Sequence, residues 1–173
     1  MYSRIQRFLK HLWLDPSDTR RAIGPAALQR LSEAVARSER QHSGEVRIFV
    51  EAGLPLTSLL RSTPTAQLVH QRALALFSEL RVWDTADNNG VLIYLLLAER
   101  KIEIVADRGL NDVVDRRVWR DLVTQMGGAF ATERFEEGLL EALAAVSSLL
   151  EQHFPQAGAQ NNPNELPDTP VLG

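Results

Sequence analysis

The sequence predicts an α/β domain built as a three-layer helix–sheet–helix sandwich, and three observations carry the prediction. Residues 91–97 form a run almost without polar alternation, which suits a central strand covered on both faces. A strand pattern at 45–51 is separated from that run by one helical stripe. This is the order of a βαβ crossover, which joins parallel strands with a right-handed turn. A further strand at 101–106 follows so closely that the two must pair as an antiparallel hairpin. The expected sheet is therefore mixed, with helices on both faces.

The elements are justified in chain order. Residues 2–14 place Ile5, Phe8, Leu9, Leu12 and Trp13 on one side of a short helix, with Arg4, Arg7 and Lys10 around the rest. Such a basic amphipathic segment, taken as 1–20, can pack on the domain, meet another protein or lie on an anionic membrane surface. Pro25 suits a first helical position, and Leu28, Leu31, Ala34 and Val35 recur at helical spacing until Ser43-Gly44 breaks the pattern. In 45–51, Val46, Ile48 and Val50 alternate with Glu45, Arg47 and Phe49. Residues 53–62 read as a loop. Thr63-Pro64 opens a helix whose apolar stripe includes Val69, Ala73, Leu76 and Leu80.

Glu99-Arg100 reads as a tight turn between the hairpin strands. Asp112 is placed to cap a helix carrying Val114, Trp119, Leu122 and Met126, which Gly127-Gly128 interrupts or ends. The longest helix spans 135–154, with Phe135, Leu139, Leu143, Val146 and Leu150 as its buried line and Pro155 as its stop. Residues 156–173, rich in Gln, Asn, Gly and Pro, have no periodicity and read as a flexible or extended tail. The domain proper is expected over 21–155. Trp83, Trp119 and Phe154 read as packing residues.

Composition narrows the function classes. The 173 residues are 45% apolar and 24% charged, values of an ordinary folded domain rather than a disordered chain. The net charge is −3 with both signs interleaved, so no basic face points to nucleic acid. The absence of cysteine removes disulfides, thiolate metal sites and cysteine nucleophiles together. No apolar run reaches the roughly 20 residues of a membrane span, and the first residues lack a signal-peptide core. A cytoplasmic setting is the expectation. Neither a Gly-x-Ser-x-Gly elbow nor a Gly-x-x-x-x-Gly-Lys phosphate loop occurs. His11, His42, His70 and His153 are scattered without metal spacing and are expected at the surface or its boundary.

The topology places polar side chains together. If strands 45–51 and 91–97 are parallel, the loop Asp87-Asn88-Asn89-Gly90 lies at the end of the sheet where Glu45 begins. The hairpin then returns Asp107, and Asp112 after it, to that rim, with Gly90 nearly opposite Gly109. Oxygen ligands from separate segments suit a hard cation, Ca²⁺ or Mg²⁺. Each of these residues also suits a turn by itself, and Asp112 a helix cap. The calcium-loop spacing D-x-[DN]-x-[DN]-G does not occur.

Several of these segments resemble the TPM-domain family. They are Ser43-Gly44-Glu45-Val46 and Asn89-Gly90-Val91-Leu92-Ile93 at two strand starts, Ile104 to Leu110 after the hairpin, and Phe135-Glu136-Glu137-Gly138-Leu139 in the last helix. The similarity spans about 25–155 and is greatest to a short branch without signal peptide or membrane anchor, whose tail resembles Asn164-Glu165-Leu166-Pro167-Asp168. It implies a helix–sheet–helix sandwich. It further implies either a non-catalytic module, acting with a membrane-associated or repair partner and binding a divalent metal, or a weak metal-dependent acid phosphatase. Many relatives carry Gly-Tyr-Gly where this chain has Ala106-Asp107-Arg108-Gly109, so a phosphatase site does not transfer whole. Asp87, Asn88, Asn89 and Asp107 alone carry over as metal-site residues.

Overall fold

A four-stranded sheet with the order β3-β2-β1-β4 lies at the centre of the computed structural model, which describes residues 10–60, 63–156 and 164–173. β1 (Val46–Glu51) and β2 (Val91–Leu96) are parallel, in register from Val46 opposite Val91 to Glu51 opposite Leu96. β3 (Lys101–Ala106) runs antiparallel to β2, and β4 (Val171–Leu172) runs parallel to β1. The helices in chain order are α1 (Pro16–Ala22), α2 (Pro25–Ser38), α3 (Leu56–Leu59), α4 (Thr65–Glu79), α5 (Arg108–Asn111), α6 (Arg116–Ala131) and α7 (Phe135–His153).

Strand alternation divides the core into two layers. Ile48, Val50, Ile93, Leu95, Ile102 and Ile104 face one way and pack under α2, α6 and α7, against Leu31, Val35, Phe130, Leu139, Val146 and Leu150. Phe49, Leu92, Tyr94, Leu96 and Val105 face the other way, against Leu68, Val69, Ala73 and Leu76 of α4. Every residue of β1 and of β2 is buried. The sandwich, the βαβ crossover through α4 and the hairpin are as the sequence predicts.

β1 contains charge in a buried strand, and each charge is answered from elsewhere. Glu51 accepts two-pronged hydrogen bonds from Arg72 of α4 at 2.8–3.2 Å and one from the Tyr94 hydroxyl at 2.6 Å. Burial, then the Glu51 carboxylate, drive the Tyr94 pKa far up, so the phenol stays a donor. This ties α4 to the sheet.

Several local expectations are corrected. The hairpin turn is longer than Glu99-Arg100: Leu96 pairs with Lys101, a 3₁₀ turn fills Leu97–Glu99, and Arg100 takes a left-handed φ of 50°. The register therefore sets Gly90 opposite Asp107, with Asp107 N–H donating to Gly90 O at 2.9 Å, rather than opposite Gly109. Asp112 does not open α6. Asp115 does, accepting from Arg117 N at 2.7 Å, while Asp112 ends the short α5. Gly127 and Gly128 lie inside α6, where burial of Met126, Ala129 and Phe130 outweighs the roughly 1 kcal/mol penalty of each glycine. The 53–62 loop contains α3. Trp83 is 48% exposed and is not a core residue.

Two histidines expected near the surface are buried. His11 bridges Glu99 Oε1 at 3.0 Å and the Leu54 N–H at 3.0 Å, which pins the chain just before α1. His42 sits between Ser38 Oγ at 2.7 Å and Gly44 O at 3.0 Å. Of the N-terminal amphipathic segment, residues 1–9 lie outside the described residues, while Leu12 and Trp13 are exposed beside buried His11.

The last ten residues depart most from expectation. They do not trail away but cross the free edge of β1, and β4 pairs with Phe49 and Val50. Gly173 N–H donates to Val50 O at 2.9 Å and Ala52 N–H to Gly173 O at 3.2 Å. Leu166 is buried in the α4 layer. The remainder of the expected tail, 157–163, lies outside the described residues.

Candidate functional site

The rim lies where β1 and β2 begin and β3 ends. Asn88 has a left-handed φ of 53°, a conformation Asn tolerates, which turns the chain into β2. A turn hydrogen bond from Asn88 N–H to Thr85 O at 3.2 Å and one from Asn89 N–H to Thr85 Oγ1 at 3.1 Å hold the loop. Gly109 is needed here: a Cβ would stand 2.6 Å from Asn88 O and 2.8 Å from Asp87 O, and its N–H donates to Asn88 O at 2.9 Å. Backbone contact between these two loops is what brings Asp87, Asn88 and Asn89 beside Asp107.

The side chains of the rim are partly committed to one another. Ser43 Oγ donates to Asp87 Oδ2 at 3.0 Å and accepts from Asn89 Nδ2 at 3.1 Å. The Arg108 guanidinium clamps Asn88 Oδ1 through Nε, at 2.9 Å, and Nη2. Asp107 Oδ1 accepts from the Arg108 N–H at 2.7 Å. Two buried acceptors, Asn89 Oδ1 and Asp107 Oδ2, have no donor among the described residues. Asp112 lies apart from this set, at the end of α5 along the outer edge of β3. Among the described residues, no three His, Cys, Asp or Glu side chains cluster as a metal site; a rim of mixed Asp and Asn falls outside that description.

A second polar cluster, which sequence reasoning missed, borders the rim on the β1 side. Glu39, Glu45 and Arg47 are buried there under the C-terminal segment. Glu39 Oε1 accepts from Val46 N–H at 2.8 Å. Glu45 Oε2 accepts from Leu166 N–H at 3.0 Å, and its Oε1 has no donor among the described residues. The Arg47 guanidinium donates to the carbonyls of Pro167 and Thr169, and Glu165 accepts from Ala86 N–H. Burial pushes the Glu39 carboxyl up to about 8, with Glu45 and Asp168 adding to the rise against the Val46 hydrogen bond. Burial raises Glu45 in the same way. A protonated Glu39 shares a side-chain hydrogen bond with Asp168. The sequence signal was Glu45 and Arg47 in the strand pattern 45–51, which also carries Glu51.

These shifts set a pH dependence. Glu39 titrates near 4.5 when unfolded and near 8 in the fold, so the native state holds a proton that the unfolded chain releases. Its contribution is complete below about pH 4.5 and is lost as pH rises through about 8. His42 is opposite: burial lowers it from 6.5 to about 4, so its contribution is present above pH 6.5 and lost as pH falls through 4. Stability should peak in mildly acidic solution. Glu39→Gln, which keeps the acceptor for Val46, should flatten the alkaline side of a melting-temperature profile. An unchanged alkaline slope in that variant rules out Glu39 as its source.

The sequence profile of the TPM domain matches residues 17–149. The chain belongs to the TPM-domain family. The solution structure of the BA42 protein from the psychrophilic bacterium Bizionia argentinensis is similar: TM-score 0.72, 26% identity, covering 87% of this chain and 95% of that one. The N-terminal domain of a P. gingivalis protein shares the fold at TM-score 0.57 and 20% identity, covering 76% of this chain and 78% of that one. No curated protein matches this chain. Among the described residues, no helix is long and apolar enough to cross a membrane.

Proposed function

We propose that this TPM domain is a non-catalytic interaction module in the cytoplasm, whose rim takes a divalent cation and which acts with a membrane-associated or repair partner. One observation carries the cation: Asn89 Oδ1 and Asp107 Oδ2 are buried at the rim with no donor among the described residues, each an acceptor whose desolvation is otherwise uncompensated. With a carboxylate oxygen of Asp87, these supply the all-oxygen set that Ca²⁺ or Mg²⁺ prefers. Asn88 is less suited, because Arg108 occupies its side-chain oxygen. The non-catalytic half rests on the sequence, which offers neither a nucleophile elbow nor a phosphate loop.

A ligand that binds only the native state raises its stability, by about 2.7 kcal/mol at a hundredfold excess over Kd. Calcium or magnesium should therefore raise the melting temperature. Asp107→Asn should weaken that rise and still fold, since Asn caps α5 as well as Asp does. A melting curve indifferent to both ions removes the rim site. Metal-dependent turnover of p-nitrophenyl phosphate, lost in Asp107→Asn, would show instead that the domain is a phosphatase.

A further inference from the structure

Half of the exposed large apolar side chains among the described residues gather at one end of the sheet: Leu12, Trp13, Leu56 and Leu60. Trp13 is 83% and Leu60 70% exposed. Backbone contacts hold the two segments that carry them side by side. His11 accepts at Nδ1 from the Leu54 N–H and meets Glu99 Oε1 through Nε2, each at 3.0 Å. Gly53 lies so close that a Cβ there would stand 2.9 Å from His11 O. Leu54 lies just past β1 and Glu99 just past β2, so this is the end of the sheet opposite the rim. α3 turns Leu59 into the α4 layer and leaves Leu56 and Leu60, one turn apart, exposed on one face.

The two stretches that carry these side chains, residues 1–21 and 53–63, are basic in a chain whose net charge is −3. Arg4, Arg7, Lys10, Arg20, Arg21 and Arg61 stand against Asp15 and Asp18, with Glu99 in the neighbouring turn. Each of these acids has local partners. Asp15 accepts from the Ser17 N–H at 2.6 Å, Asp18 pairs with Arg21 at 2.7 Å, and Glu99 pairs with His11 and, at 3.8 Å, with Lys10. The Lys10 and Arg21 side chains remain half-exposed or more beyond those pairs. Arg20 is exposed on α1 and forms no ion pair among the described residues.

We infer that this end of the domain docks on an anionic lipid bilayer, with Leu12, Trp13, Leu56 and Leu60 set into the interface and the basic residues against lipid phosphates. Charge selects the occupant: the basic excess sits with the apolar tips, while the rest of the chain is acidic. A second copy would bring this surface against itself, basic group facing basic group, because a two-fold contact uses one patch twice. Side chains this exposed project from the surface, and a fluid interface closes around such tips without needing hollows to receive them. Tryptophan in particular settles at the headgroup level, where its ring is half apolar and its indole N–H stays wet. Docked this way, the domain turns its rim away from the bilayer. The inference stands apart from the rim cation.

The test is cosedimentation of the full chain, in EDTA, with vesicles of phosphatidylcholine mixed with phosphatidylglycerol and with vesicles of phosphatidylcholine alone. The protein should pellet with the anionic vesicles far more than with the neutral ones, and added salt should release it. Trp13→Ser should weaken binding by at least about tenfold, the share of one large apolar side chain. Arg20→Glu should weaken it by about tenfold, since one basic residue at such a surface contributes about fivefold and the reversal adds repulsion. Trp83 follows Val82 at the rim end, so Trp83→Ser should bind as wild type. No pelleting with anionic vesicles, equal pelleting with phosphatidylcholine alone, or wild-type binding by both Trp13→Ser and Arg20→Glu overturns the proposal. Sedimentation without vesicles that rises with protein concentration and is lost in Trp13→Ser assigns the patch to a second copy and also overturns it. Because the vesicle assay excludes metal and the calcium melt excludes lipid, either reading can fail while the other stands.

Discussion

Leu95→Asp should abolish folding. Leu95 is 0% exposed in β2, with Val50 and Ile102 as its register neighbours and the α7 layer above it. Removing the leucine alone costs about 2–5 kcal/mol. The aspartate adds a carboxylate with no cation at hand, which either stays ionised without solvent or takes up a proton at a pKa driven far upward. Together these match the roughly 5–15 kcal/mol of a whole domain. The variant should lack a cooperative melt and dispersed amide resonances, while Leu95→Met, nearly conserving volume, should lose less than about 1.5 kcal/mol. A Leu95→Asp protein melting within a degree or two of wild type would show that β2 is not the covered central strand.

The same burial explains what was legible. A strand apolar on both faces writes its position into the sequence as an uninterrupted run, so β2 and, through its neighbours, the mixed sheet could be read. α6 was read only in part, because two adjacent glycines carry a strong local signal that packing of Phe130 and Met126 overrides. Asp112 and Asp115 are equally good caps by residue type, and the choice between them depends on the extra turn, α5, that follows the hairpin. The hairpin turn hid its length because Arg100, not a glycine, takes the left-handed position.

Convergence at the rim was readable from topology, since parallel β1 and β2 and an antiparallel return leave few places for residues 87–89 and 107. The state of each oxygen was not. Arg108 is next to Asp107 in sequence, yet it serves Asn88, and only the left-handed turn at Asn88 presents that oxygen to it. Glu39, Glu45 and Arg47 were unreadable as a cluster for a further reason. Their partners are Leu166, Pro167, Asp168 and Thr169, some 120 residues away, and most of the contacts are to backbone groups, which carry no residue signature. A segment that docks through carbonyls and one leucine looks like a tail.

Deleting residues 164–173 should therefore cost far more than the loss of a tail. Three losses coincide. Leu166 leaves the α4 layer, and its burial alone contributes about 1.5–3 kcal/mol. Arg47 loses the two carbonyls that hold its guanidinium, and hydrogen bonds to a charged group contribute about 1.5–3 kcal/mol. The edge of β1 loses its pairing at Phe49 and Val50. Solvent returning to Arg47 and Glu45 offsets part of this, so the expected net loss is about 3 kcal/mol, enough to move a domain of this size by several degrees. Leu166→Ala should reproduce most of the leucine share and leave the alkaline slope intact. The deletion should also shrink that slope, because exposing Glu39 and removing Asp168 takes away the causes of its raised pKa. Differential scanning calorimetry from pH 5 to 9 on the three proteins separates the terms. A deletion variant that melts with wild type across that range would mean the segment does not hold its place on β1 in solution, and that the carboxylates beneath it are solvated in the native state.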